Sequence, residues 1–429
     1  MQRYNEYKDS GVKWLGEIPS HWKMLALKHI LRYKKDIVGS KFRLYDLLSL
    51  TLKGVIKRDM ENPEGKFPAS FVTYQKVQQN DFIFCNFDNE ETPRAVGISP
   101  YDGMITGAYD VFNRKNSKLT DRFLTYYFLY IDDAKRLKPY YKGLRKTVPF
   151  DSFMAYKIPV PTLDEQEAIA TYLDEATSKI DAAIAQQQRM IELLNERKQI
   201  IINNAVTKGL DPNVKMKDSG VEWIGEIPEH WKVRKLKYCS KTNSGSTPKT
   251  ILGKENPLSN IKWVRTTDLA NSKVYDTTEC LSLTEIKSAS CPLLPKDTVL
   301  ISMYGGMGSF GKLGILGVEA TINQAICSIN CYQNIFPQYV FYYLQSIHPI
   351  WMKFAASTRK DPNLNQDTIK NIFIVLPTLK EQVEIADFID KKIDEIKETL
   401  DCVTNQITLL QERKQIIIND VVTGKVKVV

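Results

Sequence analysis

The sequence predicts an α+β chain: two mixed α/β domains in pseudo-twofold tandem repeat, separated by an antiparallel coiled coil of two long helices. Three observations predict it. Blocks of nearly identical sequence open and close each half of the 429 residues. The stretches between those blocks share little. The closing blocks carry apolar residues alternately four and three apart, the spacing of a heptad seam.

The repeat fixes the organisation. Lys8–Lys23 returns as Lys217–Lys232 at an offset of 209, sharing Lys-Asp-Ser-Gly-Val, Gly-Glu-Ile-Pro and His-Trp-Lys. Pro161-Thr162-Leu163-Asp164-Glu165-Gln166 returns as Pro377-Thr378-Leu379-Lys380-Glu381-Gln382, and Glu196–Asn203 returns as Glu412–Asn419, now at an offset of 216. The second middle is therefore 7 residues longer than the first (216 − 209). The expected division is an opening segment with the first variable domain over 1–160, a first helix over 161–210, a second opening segment and domain over 211–376, and a second helix over 377–429. Conserved ends around divergent middles imply one scaffold carrying two different binding surfaces.

Composition excludes several classes. Hydrophobic residues are 43% and charged residues 25%, the balance of a folded chain rather than a disordered one. No run approaches the ~18 apolar residues of a membrane span, and Met1–Glu6 leads into no apolar segment, so neither membrane insertion nor a secretory signal is expected. The seven cysteines form no Cys-x-x-Cys pair, and no histidine lies near Cys327 and Cys331 to complete a zinc site. A reduced cytoplasmic chain without metal is the expectation.

The charge is unevenly placed. Of the net +9, residues 24–157 hold 23 Lys/Arg against 15 Asp/Glu (+8), and residues 233–373 hold 16 against 9 (+7). The helical blocks 158–216 and 374–429 are −3 and −2. Two unlike domains with the same cationic bias point to one polyanion touching both, because Lys and Arg neutralise phosphates and release counterions.

Each helix begins with a capping box, Thr162 with Glu165 and Thr378 with Glu381. The second seam is Ile389, Ile393, Ile396, Leu400, Val403, Ile407, Leu410 and Ile417. The first is Leu173, Ile180, Ile184, Ile191, Leu194 and Ile201, interrupted by Thr177, Gln187 and Lys198. With Gly209 and Gly424 as stops, each helix runs about 40 residues and reaches roughly 60 Å. Two such helices in one chain pair most simply with each other.

The search for chemistry is mostly negative. Gly306, Gly308 and Gly311 fit G-x-G-x-x-G after the strand-like Thr298–Met303, and Gly306 to Lys312 fits G-x-x-x-x-G-K. Yet Leu313 stands where a Ser or Thr would hold magnesium, and a Gly-broken apolar run follows instead of a helix. A turn that lets backbone approach DNA, or a plain tight turn, fits better. Asp276 with Glu285 and Lys287 is a short nuclease-like pattern without its preceding proline. His21 and His230 recur within the repeat, which suggests packing rather than catalysis.

Candidate nucleic-acid contacts are donors and stacking groups on loops. In the first domain they are Lys34, Lys35, Lys41, Arg43, Lys57, Arg58, Arg94, Lys142, Arg145 and Lys146. In the second they are Ser246, Thr247, Lys249, Arg265, Thr266, Thr267, Tyr304, Gly306, Asn323, Gln324, Arg359 and Lys360, with Trp263 beside them.

Together, Asp-Ser-Gly-Val-x-Trp-x-Gly-Glu-Ile-Pro-x-His-Trp twice, and Pro-Thr-Leu-x-Glu-Gln with Glu-Arg-Lys-Gln-Ile-Ile after each variable region, resemble the specificity subunit of type I restriction–modification systems. The resemblance spans essentially the whole chain and implies the following. Each variable region is a target-recognition domain reading one half of a bipartite, asymmetric double-stranded DNA site. The helices set the gap and dock modification (methyltransferase) subunits, two of them. Those partners carry S-adenosylmethionine and methylate adenine, restriction subunits where present carry ATP and Mg, and this chain itself holds no cofactor and is not catalytic. Ser246–Pro248 and Asn323-Gln324 match segments of such domains, whereas Leu50–Ile56 marks the first domain as a different subclass. The rivals are a stand-alone DNA-binding scaffold and a self-sufficient nuclease or methyltransferase.

Overall fold

A computed structural model describes residues 2–60, 70–88, 92, 94–115, 117–249, 259–304, 308–355 and 363–428. The chain divides into two compact units, Met1–Gln188 with Thr404–Val429, and Arg189–Val403. Each long helix thus gives its first half to one unit and its second half to the other.

Both units are built on one frame. In the first, Tyr7–Asp9 and Glu17–Pro19 form an antiparallel hairpin, and Lys23–Ala26 pairs antiparallel with Lys157–Val160, so the start and end of the domain are fastened side by side. In the second, Met216–Asp218 pairs with Glu226–Pro228, and Lys232–Lys235 with Phe373–Leu376. Within that frame the interiors differ. The first holds a four-stranded antiparallel sheet in the order Leu31–Lys34, Asp110–Arg114, Phe82–Phe84, Val96–Ile98. Helix Asp121–Asp133 covers it, its free N–H groups capped by Thr120, and the aromatic core includes Phe82, Phe84, Phe112, Phe128 and Phe153. The second holds a five-stranded sheet in the order Ser240–Ser244, Ile326–Cys331, Val299–Ser302, Leu313–Leu316, Ser272–Val274, beside a three-stranded one. Its helix Pro337–Ser346 is almost wholly buried.

The long helices are Leu163–Lys208 and Leu379–Val422, 46 and 44 residues. They start one residue after the expected caps and stop at Gly209 and before Gly424, both with φ of +76°. In the first unit Asp181 pairs with Lys414 at 2.7 Å, while Leu173 shares a core with Ile418 and Val421. The residue numbers run in opposite directions, so the two helix segments are antiparallel. In the second unit Arg197 acts electrostatically on Glu395, and Ile202–Val206 share a core with Ile385–Ile389, again antiparallel. All the expected seam residues, from Leu173 to Ile201 and from Ile389 to Ile417, are buried or half-buried. Of the interruptions, Thr177 returns its hydroxyl to Leu173 O at 2.7 Å, and Lys198 is half-buried, its pKa lowered by desolvation.

The repeated Pro-x-His-Trp is a latch on the helix cap. His21 Nε2 lies 2.8 Å from Glu165 Oε1, and Trp22 Nε1 donates to the same oxygen at 3.2 Å, while Thr162 N and Oγ1 donate to Oε2. His230, Trp231, Thr378 and Glu381 repeat the arrangement with the same His and Trp distances. Burial alone would raise the pKa of Glu381, but the bonds from His230, Thr378 and Trp231 outweigh it and bring it down from 4.5 to about 2. The stabilisation is therefore fully present above 4.5 and is lost as pH falls towards 2. Glu381→Gln is expected to destabilise the second unit by about 1–2 kcal/mol at pH 7, with the gap closing as pH drops through that window. Urea denaturation across pH 7 to 3 measures this; a constant gap would show that the carboxylate charge is not the source.

Among the described residues no helix is long and apolar enough to cross a membrane, and no group of His, Cys, Asp and Glu could hold a metal ion.

Candidate nucleic-acid interface

In the second domain three distant segments converge. Ser246 N donates to Ile322 O at 3.1 Å, Asn323 N to Val264 O at 3.1 Å, and Trp263 Nε1 to Ser246 O at 3.3 Å. The approach requires Gly245, where a Cβ would stand 1.9 Å from Ile322 O. The result places Thr247 in hydrogen bond with Gln324, and lays the Arg265 guanidinium 6.0 Å from the Trp263 ring centroid. Arg265 Nε is buried without a partner among the described residues. Thr266 and Thr267 open the 3-10 turn Thr266–Asp268, which Asp268 fixes by accepting from Arg265 N at 2.8 Å. An arginine, an amide and a threonine hydroxyl, gathered beside the buried Trp263 indole, are what base-edge and phosphate recognition needs. Lys249 is exposed and Tyr304 half-buried. Asn323 has a local task, since its Oδ1 accepts from Ala325 N at 3.2 Å. Gly306, Arg359 and Lys360 lie outside the described residues.

In the first domain the candidates separate into two kinds. Lys34 is tied inward, 2.5 Å from Asp81 and 3.0 Å from Gln78 Oε1. Arg94 is likewise mostly buried, 3.1 Å from Asp133. Lys57 is held by Asp46 at 2.5 Å and lies over the Tyr101 ring, and the half-buried Arg58 follows it. Lys35 and the pair Lys41 and Arg43, on the 3-10 turn Gly39–Leu44, face outward. Lys142, Arg145 and Lys146 share one hairpin, fastened where Arg145 meets Asp88 at 2.6 Å and Phe87 at 4.7 Å. The sequence search missed Tyr33 and Phe150, an exposed ring pair with centroids 5.1 Å apart. Their only signal was aromatic character, which a buried core residue shares.

Among the described residues the rival chemistries have no assembled centre. Glu285 is the capping-box residue of helix Leu283–Ser288, taking Ser282 N at 2.8 Å and Ser282 Oγ at 2.6 Å, and Asp276 is salt-bridged to Lys262. Lys312 is followed by strand Leu313–Leu316 and not by a helix, so a phosphate-binding helix N-terminus does not form there.

A family model described as "Type I restriction modification DNA specificity domain" matches residues 95–193 and 228–408. The chain belongs to this family. A putative type I restriction enzyme MjaX specificity subunit from Methanocaldococcus jannaschii is 25% identical over 98% of both chains. The MjaVIII specificity subunit of the same organism is 28% identical over 76% of this chain and 75% of its own length. A chain from a structural study of complex assembly and conformational transition in a type I restriction–modification system superimposes with a TM-score of 0.71 at 14% identity, covering 95% of this chain and 99% of that one. The first matched region covers the later part of the first domain and the start of its long helix, and the second covers most of the second domain and of the second long helix. The specificity family's role is DNA recognition within a type I restriction–modification system, with catalysis on other subunits.

Proposed function

We propose that each target-recognition domain of this specificity subunit reads one half of a bipartite, asymmetric DNA site. The two helices set the unread gap between the halves and dock two modification subunits. The observation that carries this is the pairing of two structurally unlike interiors, each strongly cationic, with one repeated frame. Unlike interiors imply unlike half-sites, and a shared frame implies that both are presented in the same way. Arg265 and Gln324 in the second domain, and Lys142 and Arg145 in the first, supply the main contacts.

The helices support a count of two modification subunits. Leu193 and Ile200 stand exposed one heptad apart on the first helix, and Leu409 and Ile416 stand at the equivalent positions of the second. Exposed apolar residues kept in both copies of a charged block support one docking point on each helix. S-adenosylmethionine resides on those partners, as do ATP and Mg on restriction subunits where the cell makes them.

Exchanging residues 24–157 for the first domain of another family member tests the reading. Methylation mapping with the modification subunits present should find one half of the site changed, and the other half and the gap preserved. A change in both halves, or in neither, would contradict it.

A further inference from the structure

The hairpin Lys142–Thr147 carries an apolar side chain among its cations. It is closed by Lys142 N to Thr147 O at 2.9 Å, Thr147 N to Lys142 O at 3.0 Å, and Lys146 N to Gly143 O at 3.1 Å. It is also braced from the side: Asp88 N donates to Arg145 O at 2.7 Å, and Val148 N to Asn86 O at 2.8 Å. Lys146 and Asp88 both sit in the left-handed region, with φ of +45° and +48°. Non-glycine residues hold that conformation only where surrounding contacts over-determine it, and such strain gathers at functional sites. What the bracing holds outward is Leu144, at 103% relative exposure, the most exposed large hydrophobic among the described residues. A scattered surface leucine is ordinary. A leucine held clear of every neighbour, at the tip of a braced turn carrying Lys142, Arg145 and Lys146, is a different arrangement.

We propose that Leu144 is a wedge: the basic hairpin lies along the DNA backbone, and the leucine enters the groove and inserts at a base step of the first domain's half-site, unstacking it. This rests on the DNA-reading role proposed above. Cations beside an apolar tip fit a phosphate-lined groove, since neutralised phosphates leave the tip one side chain away from the stacked bases. Area argues the same way. One leucine is a negligible part of a protein interface of roughly 800 Å² per partner, whereas one apolar side chain suffices to open a base step. The surface beside the hairpin is suited to the same ligand. Asn86, which holds Val148, donates to Asp110 at 2.8 Å, Asp110 acts electrostatically on the Tyr33 hydroxyl, and Tyr33 packs on Phe150.

The experiment uses the full-length chain assembled with its modification subunits. The probe is a duplex bearing the site found by methylation mapping, with 2-aminopurine placed in turn at each purine of the first half-site. Because the Leu144 side chain touches nothing, Leu144→Ala and Leu144→Ser should fold as the parent does. Both should bind the site about tenfold more weakly, with binding to unrelated duplex unchanged. One 2-aminopurine position should brighten with the parent and Leu144→Phe but stay dark with Leu144→Ala. Parental affinity and parental fluorescence at every position in Leu144→Ala would overturn the wedge and leave the DNA-reading role standing. Weaker recruitment of modification subunits by Leu144→Ala without DNA would also overturn it, by making the tip a protein contact. An assembly of the parent chain with no sequence preference at all would remove the DNA-reading role and the wedge with it.

Discussion

Val421→Asp should unfold the first compact unit although it lies more than 400 residues along the chain from that unit's opening hairpin. Val421 is fully buried in the same core as Trp22, Ile169, Leu173 and Ile158. The end of the chain is bound into the unit at several points. Tyr7 Oη donates to Gly424 O at 3.1 Å, and Lys427 N to Gln2 O at 2.9 Å. A Cβ at Gly424 would come within 2.4 Å of Pro19 and 2.9 Å of Trp22. A carboxylate in this core has no partner and must either stay charged in apolar surroundings or take up a proton, and the valine's burial is lost as well. The expected cost is about 4 kcal/mol, a large share of the roughly 5–15 kcal/mol that holds a domain together. Urea unfolding, followed by limited proteolysis and mass spectrometry, should show early cleavage within 2–188 while 189–403 stays protected. Equal protection of both regions would mean that the closing helix is not part of the first core.

Removing one heptad from each long helix should shorten the tolerated gap between half-sites and leave the half-sites themselves unchanged. Within each unit the two helix segments run antiparallel, Asp181 meeting Lys414 in the first and Arg197 acting electrostatically on Glu395 in the second. Removing 185–191 and 403–409, one whole heptad each, leaves the apolar period of both helices unbroken. Seven residues at 1.5 Å are about 10 Å of rise, or about three base pairs at 3.4 Å each. Methylation mapping in cells carrying the shortened chain reads the gap directly. An unchanged gap would show that something other than the helices sets the spacing.

Much of this organisation is legible in the sequence, because it rests on local or repeated signals. Thr162 and Glu165 are three residues apart, so the capping box and the start of the first helix can be seen without any tertiary knowledge. Ile389 to Ile417 recur with the heptad period, so the buried stripe can be read off directly. The duplication locates both frames. The candidate contacts were legible unevenly. Ser246, Trp263, Arg265 and Gln324 were all named from the sequence, but nothing local shows that a missing Cβ at Gly245 lets their segments meet. Lys34 and Arg94 look no different from Lys35 or Lys142 in sequence. Their turning inward depends on Asp81, Asp132 and Asp133, which reach them from other elements. Leu144 could not be found at all, because leucine is the commonest of core residues and only its surroundings place it outside.

By itself the sequence determined the twofold plan, the helix lengths, the seam and the confinement of positive charge to the two variable domains, since periodicity and charge are properties of chain order. Only the tertiary structure decided that each core is completed by the far end of the other repeat's helix, that the His-Trp motif locks onto the capping glutamate, and which cations face outward. Those outcomes depend on contacts between residues tens to hundreds of positions apart, where burial and close approach act and no local pattern reports them.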